Sequence, residues 1–289
     1  MMNLSSKLKE LRNLKNRIVL ITGASSGIGQ ATAFEAAQRG AIVVLIARNQ
    51  QKLKQVAQQC MIYSGRPAFA YPLDLSDADA VDETLTLIGH EVGSVDVVIN
   101  AAGFGDMEPG LETDAALTQK MFAVNVLGLI YITRRLASQM IDKHYGAIVN
   151  IASVAALIPT PNSAVYTATK AAVTGYSDVM RQELQPFGIQ VTTVNPGPVA
   201  TNFFNVADQQ GDYLARVASF TVTPQLVAQR IIDAIGYHVR SLVIPRYFRS
   251  LAVAYHLMPG VGDFIMSQVF KPRPAKRIHL SESSQESVE

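Results

Sequence analysis

Thr22-Gly23-Ala24-Ser25-Ser26-Gly27-Ile28-Gly29 joins an apolar run, Arg17-Ile18-Val19-Leu20-Ile21, to an Ala-rich stretch that begins at Gln30 and stops at Gly40. The run reads as a buried strand and the stretch as a helix. A strand, a glycine turn and a helix N-terminus in that order form the setting for a dinucleotide site. Gly23 allows the tight turn, Gly27 lets a pyrophosphate approach the backbone, and Gly29 lets helix and strand pack closely. The helix N-terminus presents free N–H groups and a partial positive charge to phosphates. Ser25, Ser26 and Ile28 belong to the same turn.

The pattern that follows repeats this unit. Strand-like runs at 17–22, 41–47, 68–71, 95–99, 147–151, 189–194 and 241–244 alternate with helix-like stretches near 27–39, 49–63, 76–92, 113–143, 163–186 and 223–236. That alternation predicts βαβ units. The fold class is α/β: a doubly wound, mostly parallel seven-stranded sheet with helices on both faces. The 289 residues suit one large domain over 17–245 with additions at each end. Nearly half the residues are apolar and the net charge is +2, which argues against a dedicated nucleic-acid binder. Cys60 is the single cysteine, which fits a reducing compartment, and no secretory signal is seen. A cytoplasmic protein is expected. The five histidines show no metal-ligand spacing, and no metal is expected.

Three segments stand apart. Leu4, Leu8, Leu11 and Leu14 alternate with Lys7, Lys9, Arg12 and Lys15, so 1–16 predicts an amphipathic basic helix. It either docks on the domain or meets a membrane surface. Residues 202–222 lack a strong period but carry aromatics, as a substrate lid would. Residues 246–270 are apolar but interrupted by Arg249, His256, Pro259 and Asp263, which is not a clean membrane span. This extension packs on the domain, on a second subunit or on lipid. The tail 271–289 is Ser- and Glu-rich at its end and reads as disordered.

Tyr166 and Lys170 sit one helical turn apart in Tyr166-Thr167-Ala168-Thr169-Lys170, downstream of Ser153. A phenol ordinarily loses its proton near pH ~10. A fixed ammonium beside it stabilises the phenolate and draws that value toward neutrality. The pair is then a proton donor and acceptor usable near the working pH.

With the glycine turn, Asn100-Ala101-Ala102-Gly103, Asn125, Ser153, Tyr166, Lys170 and Pro196-Gly197 in view, the chain resembles the short-chain dehydrogenase/reductase family over roughly 15–245. The Thr-Gly-x-x-x-Gly-x-Gly form is similar to its compact reductases. The resemblance implies a Rossmann-type catalytic domain in which Tyr166 protonates a carbonyl oxygen as hydride arrives. It implies that Lys170 binds the nicotinamide ribose, that Ser153 holds the substrate oxygen and that Asn125 holds a water behind Lys170. Asp74, with Leu75, would touch the adenine, and Asn100 to Gly103 would pack by its ribose. Thr201, after Pro196-Gly197-Pro198-Val199, would anchor the carboxamide. It also implies a homo-oligomer, a dimer or tetramer packed through the helices holding Asn125 and Tyr166.

Cofactor preference is read at the end of the second strand. Ala47 stands where an NAD enzyme usually places an acid, and Arg48 follows. A guanidinium pairs with a 2′-phosphate, so NADP(H) is expected over NAD(H). Residues near the site are mostly apolar: Phe104, Met107, Val154, Leu157, Ile158, Phe203 and Phe204. They predict a small apolar carbonyl substrate, lipid-like or steroid-like. Two other readings stay open: a reductase of 3-oxoacyl groups on an acyl-carrier protein, with Arg134 and Arg135 receiving the carrier, and a non-catalytic NADP-binding redox sensor.

Overall fold

The computed structural model describes residues 4–208, 216, 217 and 220–270. Seven strands form one parallel sheet: β1 (Ile18–Thr22), β2 (Ile42–Ala47), β3 (Ala68–Pro72), β4 (Val97–Asn100), β5 (Gly146–Ile151), β6 (Ile189–Pro196) and β7 (Ser241–Ile244). Their order is β3-β2-β1-β4-β5-β6-β7. A parallel sheet needs cover on both faces, so its strands are continuously apolar. Alternation then divides their residues. Val19, Val43 and Val97 face one core, while Leu20, Val44 and Val98 face the other.

On the first face lie α2 (Gly27–Gln38), α3 (Gln50–Ser64) and α9 (Pro224–Ala234). On the second lie α4 (Ala78–Glu91), α6 (Leu129–Lys143) and α7 (Ala164–Leu184). Local chemistry sets the helix starts. The side chains of Asn49, Asp77 and Asp114 each accept the N–H three residues on, capping α3, α4 and α5 (Ala115–Phe122). Between α5 and α6 the helix widens into a π segment over Ala123–Gly128. Ala115–Lys143 is long and apolar enough by composition to cross a membrane, but Ile132, Leu136 and Met140 pack into the second core.

The N-terminal helix α1 covers Leu4–Glu10 only. Leu8, Leu11 and Leu14 are buried in the first core, and Arg12 Nε donates to the Gly236 carbonyl at 3.1 Å. The leucine stripe of this segment is therefore docked on the domain, the first of its two expected placements. After β6 comes the short α8 (Phe203–Ala207). The expected lid over 202–222 is described only in part, since 209–215, 218 and 219 lie outside the described residues. The expected disorder over 271–289 lies outside them too. The extension forms α10 (Tyr247–Leu257) and α11 (Pro259–Val269).

Candidate active site

The strand order reverses between β1 and β4, and a crevice opens past the C-terminal ends of the strands at such a point. Here it is a cleft of about 730 Å³. The turn after β1 forms one wall. Gly23 has a φ of +66°, and a Cβ there would lie 2.8 Å from the Ala102 backbone. A Cβ on Gly29 would collide with the Gly23 carbonyl. Both glycines are therefore dictated by close packing. Ser26 starts α2 without a side-chain cap, so the first-turn N–H groups are left for an anion. Thr22 Oγ1 accepts from the N–H groups of Ala101 and Ala102 at 3.1 and 3.0 Å, which fixes the chain after β4 against this turn.

The cleft runs past the end of β2, where Arg48 and Lys52 line it. Asp74 lies beyond them. Its carboxylate accepts from the Ser76 N–H at 3.0 Å and hydroxyl at 2.8 Å. The Ser76 N–H, with its hydroxyl, Arg48 and Lys120 adding, holds that carboxyl below the ordinary range against partial burial.

At the other end, α7 carries Tyr166 and Lys170, both buried. Lys170 Nζ donates to the Ile151 carbonyl at 3.0 Å and lies 5.8 Å from the Tyr166 ring centre. Burial pulls the Lys170 amine down to about 8. Ser153 caps the short turn after β5, accepting from the Ala155 N–H at 3.1 Å, and still faces the cleft. Phe203 packs on Tyr166 with ring centres 5.5 Å apart, and Phe204 packs on Phe203. Beneath the strand ends a buried chain runs from Asn100 to Asn150 at 2.9 Å and from Asn150 to Ser177 at 2.9 Å. It ties α7 to β4 and β5.

The expected residues fall into two groups. Gly23, Ser25, Ser26, Gly27, Ile28, Gly29, Arg48, Asp74, Leu75, Ala101, Ala102 and Gly103 line the cleft. So do Ser153, Tyr166, Lys170, Pro196, Gly197, Val199, Thr201, Phe203 and Phe204. Asn100, Asn125 and Leu157 are not among the lining residues. Asn100 Nδ2 donates to Thr133 Oγ1 at 3.1 Å and to Asn150 Oδ1 at 2.9 Å. The Asn125 side chain bonds Phe104 and Thr169, which ties the loop after β4 to α7. Of the expected apolar neighbours Leu157 and Ile158, it is Ile158 that lines the cleft. The sequence reading missed Asn49, Lys52 and Thr160 in the lining, while Asn202 lies at the start of the expected lid. For Lys52 a signal existed, since it follows Arg48 by four residues at the start of α3.

The family profile described as short chain dehydrogenase matches residues 17–211. Dehydrogenase/reductase SDR family member 7B of Xenopus laevis is 31% identical, covering 97% of this chain and 90% of that protein. A short-chain dehydrogenase from Sphingobium yanoikuyae, solved in complex with NADPH, is 26% identical with a TM-score of 0.73, over 90% of this chain and 99% of that one. L-sorbose reductase from Gluconobacter frateurii, solved with NADPH and L-sorbose, is 26% identical with a TM-score of 0.73, over 80% of this chain and 96% of that one. The chain is an oxidoreductase acting on CH-OH or C=O groups, and it belongs to the short-chain dehydrogenase family.

Proposed function

We propose that the protein reduces the carbonyl of an apolar ketone or aldehyde at the expense of NADPH, in a reversible reaction. The observation that carries this reading is the convergence of Ser153, Tyr166 and Lys170 on a cleft whose far end holds Arg48 and Lys52. A dinucleotide fits the residues present: the uncapped α2 N-terminus and the tight Gly23–Gly29 turn suit its pyrophosphate. Arg48 and Lys52 would neutralise a 2′-phosphate, which an unphosphorylated ribose does not need. That two relatives were solved with NADPH supports the choice. The bound nicotinamide supplies the hydride.

This chain's residues do the rest. Ser153 Oγ hydrogen-bonds the substrate oxygen. Tyr166 gives that oxygen a proton. The Lys170 ammonium stabilises negative charge left on the phenol and holds ribose hydroxyls. Asn125 and Thr169 fix the helix turn that carries Tyr166: Asn125 Nδ2 donates to Thr169 Oγ1 at 3.1 Å, and Thr169 Oγ1 donates to the Tyr166 carbonyl at 2.7 Å.

Met107, Ile158, Phe203 and Phe204 line that end of the cleft and favour an apolar substrate. The carrier-protein reading is weaker, because Arg135, one of the two arginines it calls on, is tied to Asp82 at 3.0 Å. A homo-oligomer is part of the proposal. Leu127 and Val179, on the helices expected to pack, are 43% and 52% exposed. The test follows NADPH and NADH absorbance with a panel of long-chain and steroid carbonyls. NADPH oxidation by apolar members is expected. Binding of NADPH with no turnover on any member would favour the sensor reading.

A further inference from the structure

The two helices after the sheet bury little of their apolar surface. α10 buries Ala252 alone, and α11 buries no residue. Leu251, Val253, Leu257, Met258, Val261 and Phe264 are 50–77% exposed. A helix with an apolar stripe ordinarily turns it inward. These two turn it out, and they do so on a built scaffold. Tyr255 Oη donates to Asp263 Oδ1 at 2.6 Å, clamping α10 to α11. Arg216 Nη1 donates to the Val269 carbonyl at 3.0 Å, holding the far end. At the root, the Phe248 ring covers Gly197, where a Cβ would lie 2.7 Å from it.

Charge decides what covers this face. Between Tyr247 and Phe270 the one acid is Asp263, and it is engaged by Tyr255. Arg246 and Arg249 stand at the root, and the sequence after Phe270 supplies Lys271, Arg273, Lys276 and Arg277 before its next acid, Glu282. An apolar face with cations at its root and its one acid engaged fits an anionic bilayer. A second copy laid on it would bring like charges together. Each helix has 11 residues. At ~1.5 Å per residue that is about half of a ~30 Å hydrocarbon core, so the pair lies along a membrane and does not cross it.

We infer that the α10–α11 hairpin is a membrane-docking surface that sets its apolar face into an anionic bilayer, with Arg246 and Arg249 on the lipid phosphates. The inference does not depend on the chemistry of the cleft. The full chain, sedimented with phosphatidylcholine vesicles with and without phosphatidylserine, tests it. Binding to the anionic vesicles is expected, with about tenfold weaker binding to the neutral ones. The Leu257→Glu/Phe264→Glu variant, altered only at exposed positions, is expected to keep its circular dichroism and lose at least about tenfold in vesicle binding. The chain has no tryptophan, so Leu257→Trp gives a clean signal, and its emission should shift to the blue on anionic vesicles. Vesicle binding by wild type that the double variant retains, equal binding to both lipids, or no spectral shift would overturn the inference. So would a wild type that ignores vesicles and sediments in solution as a dimer that the double variant dissociates.

Discussion

Asn125 and Phe104 are joined twice: Asn125 Oδ1 accepts from the Phe104 N–H at 3.0 Å, and Asn125 Nδ2 donates to the Phe104 carbonyl at 2.8 Å. One amide thus satisfies both backbone groups of a loop residue. Asn125→Leu leaves those groups and Thr169 Oγ1 without this partner inside the protein. The loss of stability should be about 2–4 kcal/mol. Urea unfolding measures it, and a loss under about 0.5 kcal/mol would show that water replaces the amide at no cost.

Lys170 is held against its own solvation. Its lowered value, about 8, means that the folded protein grips this proton less firmly than the unfolded chain does. Below about 8 both states are charged and the folded state bears the full cost. From there to the ordinary 10.5 the folded state is neutral while the unfolded chain is still charged, so native stability rises with pH. Lys170→Met should therefore be more stable than wild type by roughly 2–3 kcal/mol near neutral pH, a gap that closes as pH rises. It should also lack carbonyl reduction. A variant less stable than wild type at every pH would refute the assigned strain.

Arg48 and Lys52 line the cleft together. Arg48→Ser/Lys52→Ser should raise KM for NADPH about tenfold to a hundredfold while leaving NADH little changed. Equal losses for both cofactors would remove the pair from the proposed phosphate contact.

Tyr166→Phe keeps the ring against Phe203 and removes only the hydroxyl. NADPH binding, followed by its fluorescence, should persist, and carbonyl reduction should fall by a factor on the order of 10²–10⁴. Near-normal turnover would exclude the phenol as the acid.

The fold was legible because parallel strands announce themselves as apolar runs. The 189–194 run falls inside β6, and the 241–244 run coincides with β7. The glycine turn was equally plain, since Gly23 and Gly29 are required by steric contacts local to the motif. What stayed hidden depends on distant contacts. Leu8, Leu11 and Leu14 gave the same stripe whether it met the sheet domain or lipid, and only their burial decides. Thr169 sits inside the Tyr-Lys spacing, yet nothing in the sequence shows that it receives Asn125. Leu157 and Ile158 are equally apolar, and the short turn after Ser153 selects which of them lines the cleft.

The π segment at Ala123–Gly128 fixes the phase of a long helix. Its wide turn holds one residue more than an α turn, and each residue rotates the helix by about 100°. Upstream, Met121 is buried with Tyr166; downstream, Ile132 and Leu136 are buried on the sheet. Removing a single residue at Val124 would let the segment close into ordinary α-helix, after which the two ends could not both keep their faces. The stretch from Ala115 to Lys143 therefore tolerates substitution more readily than any change in its length.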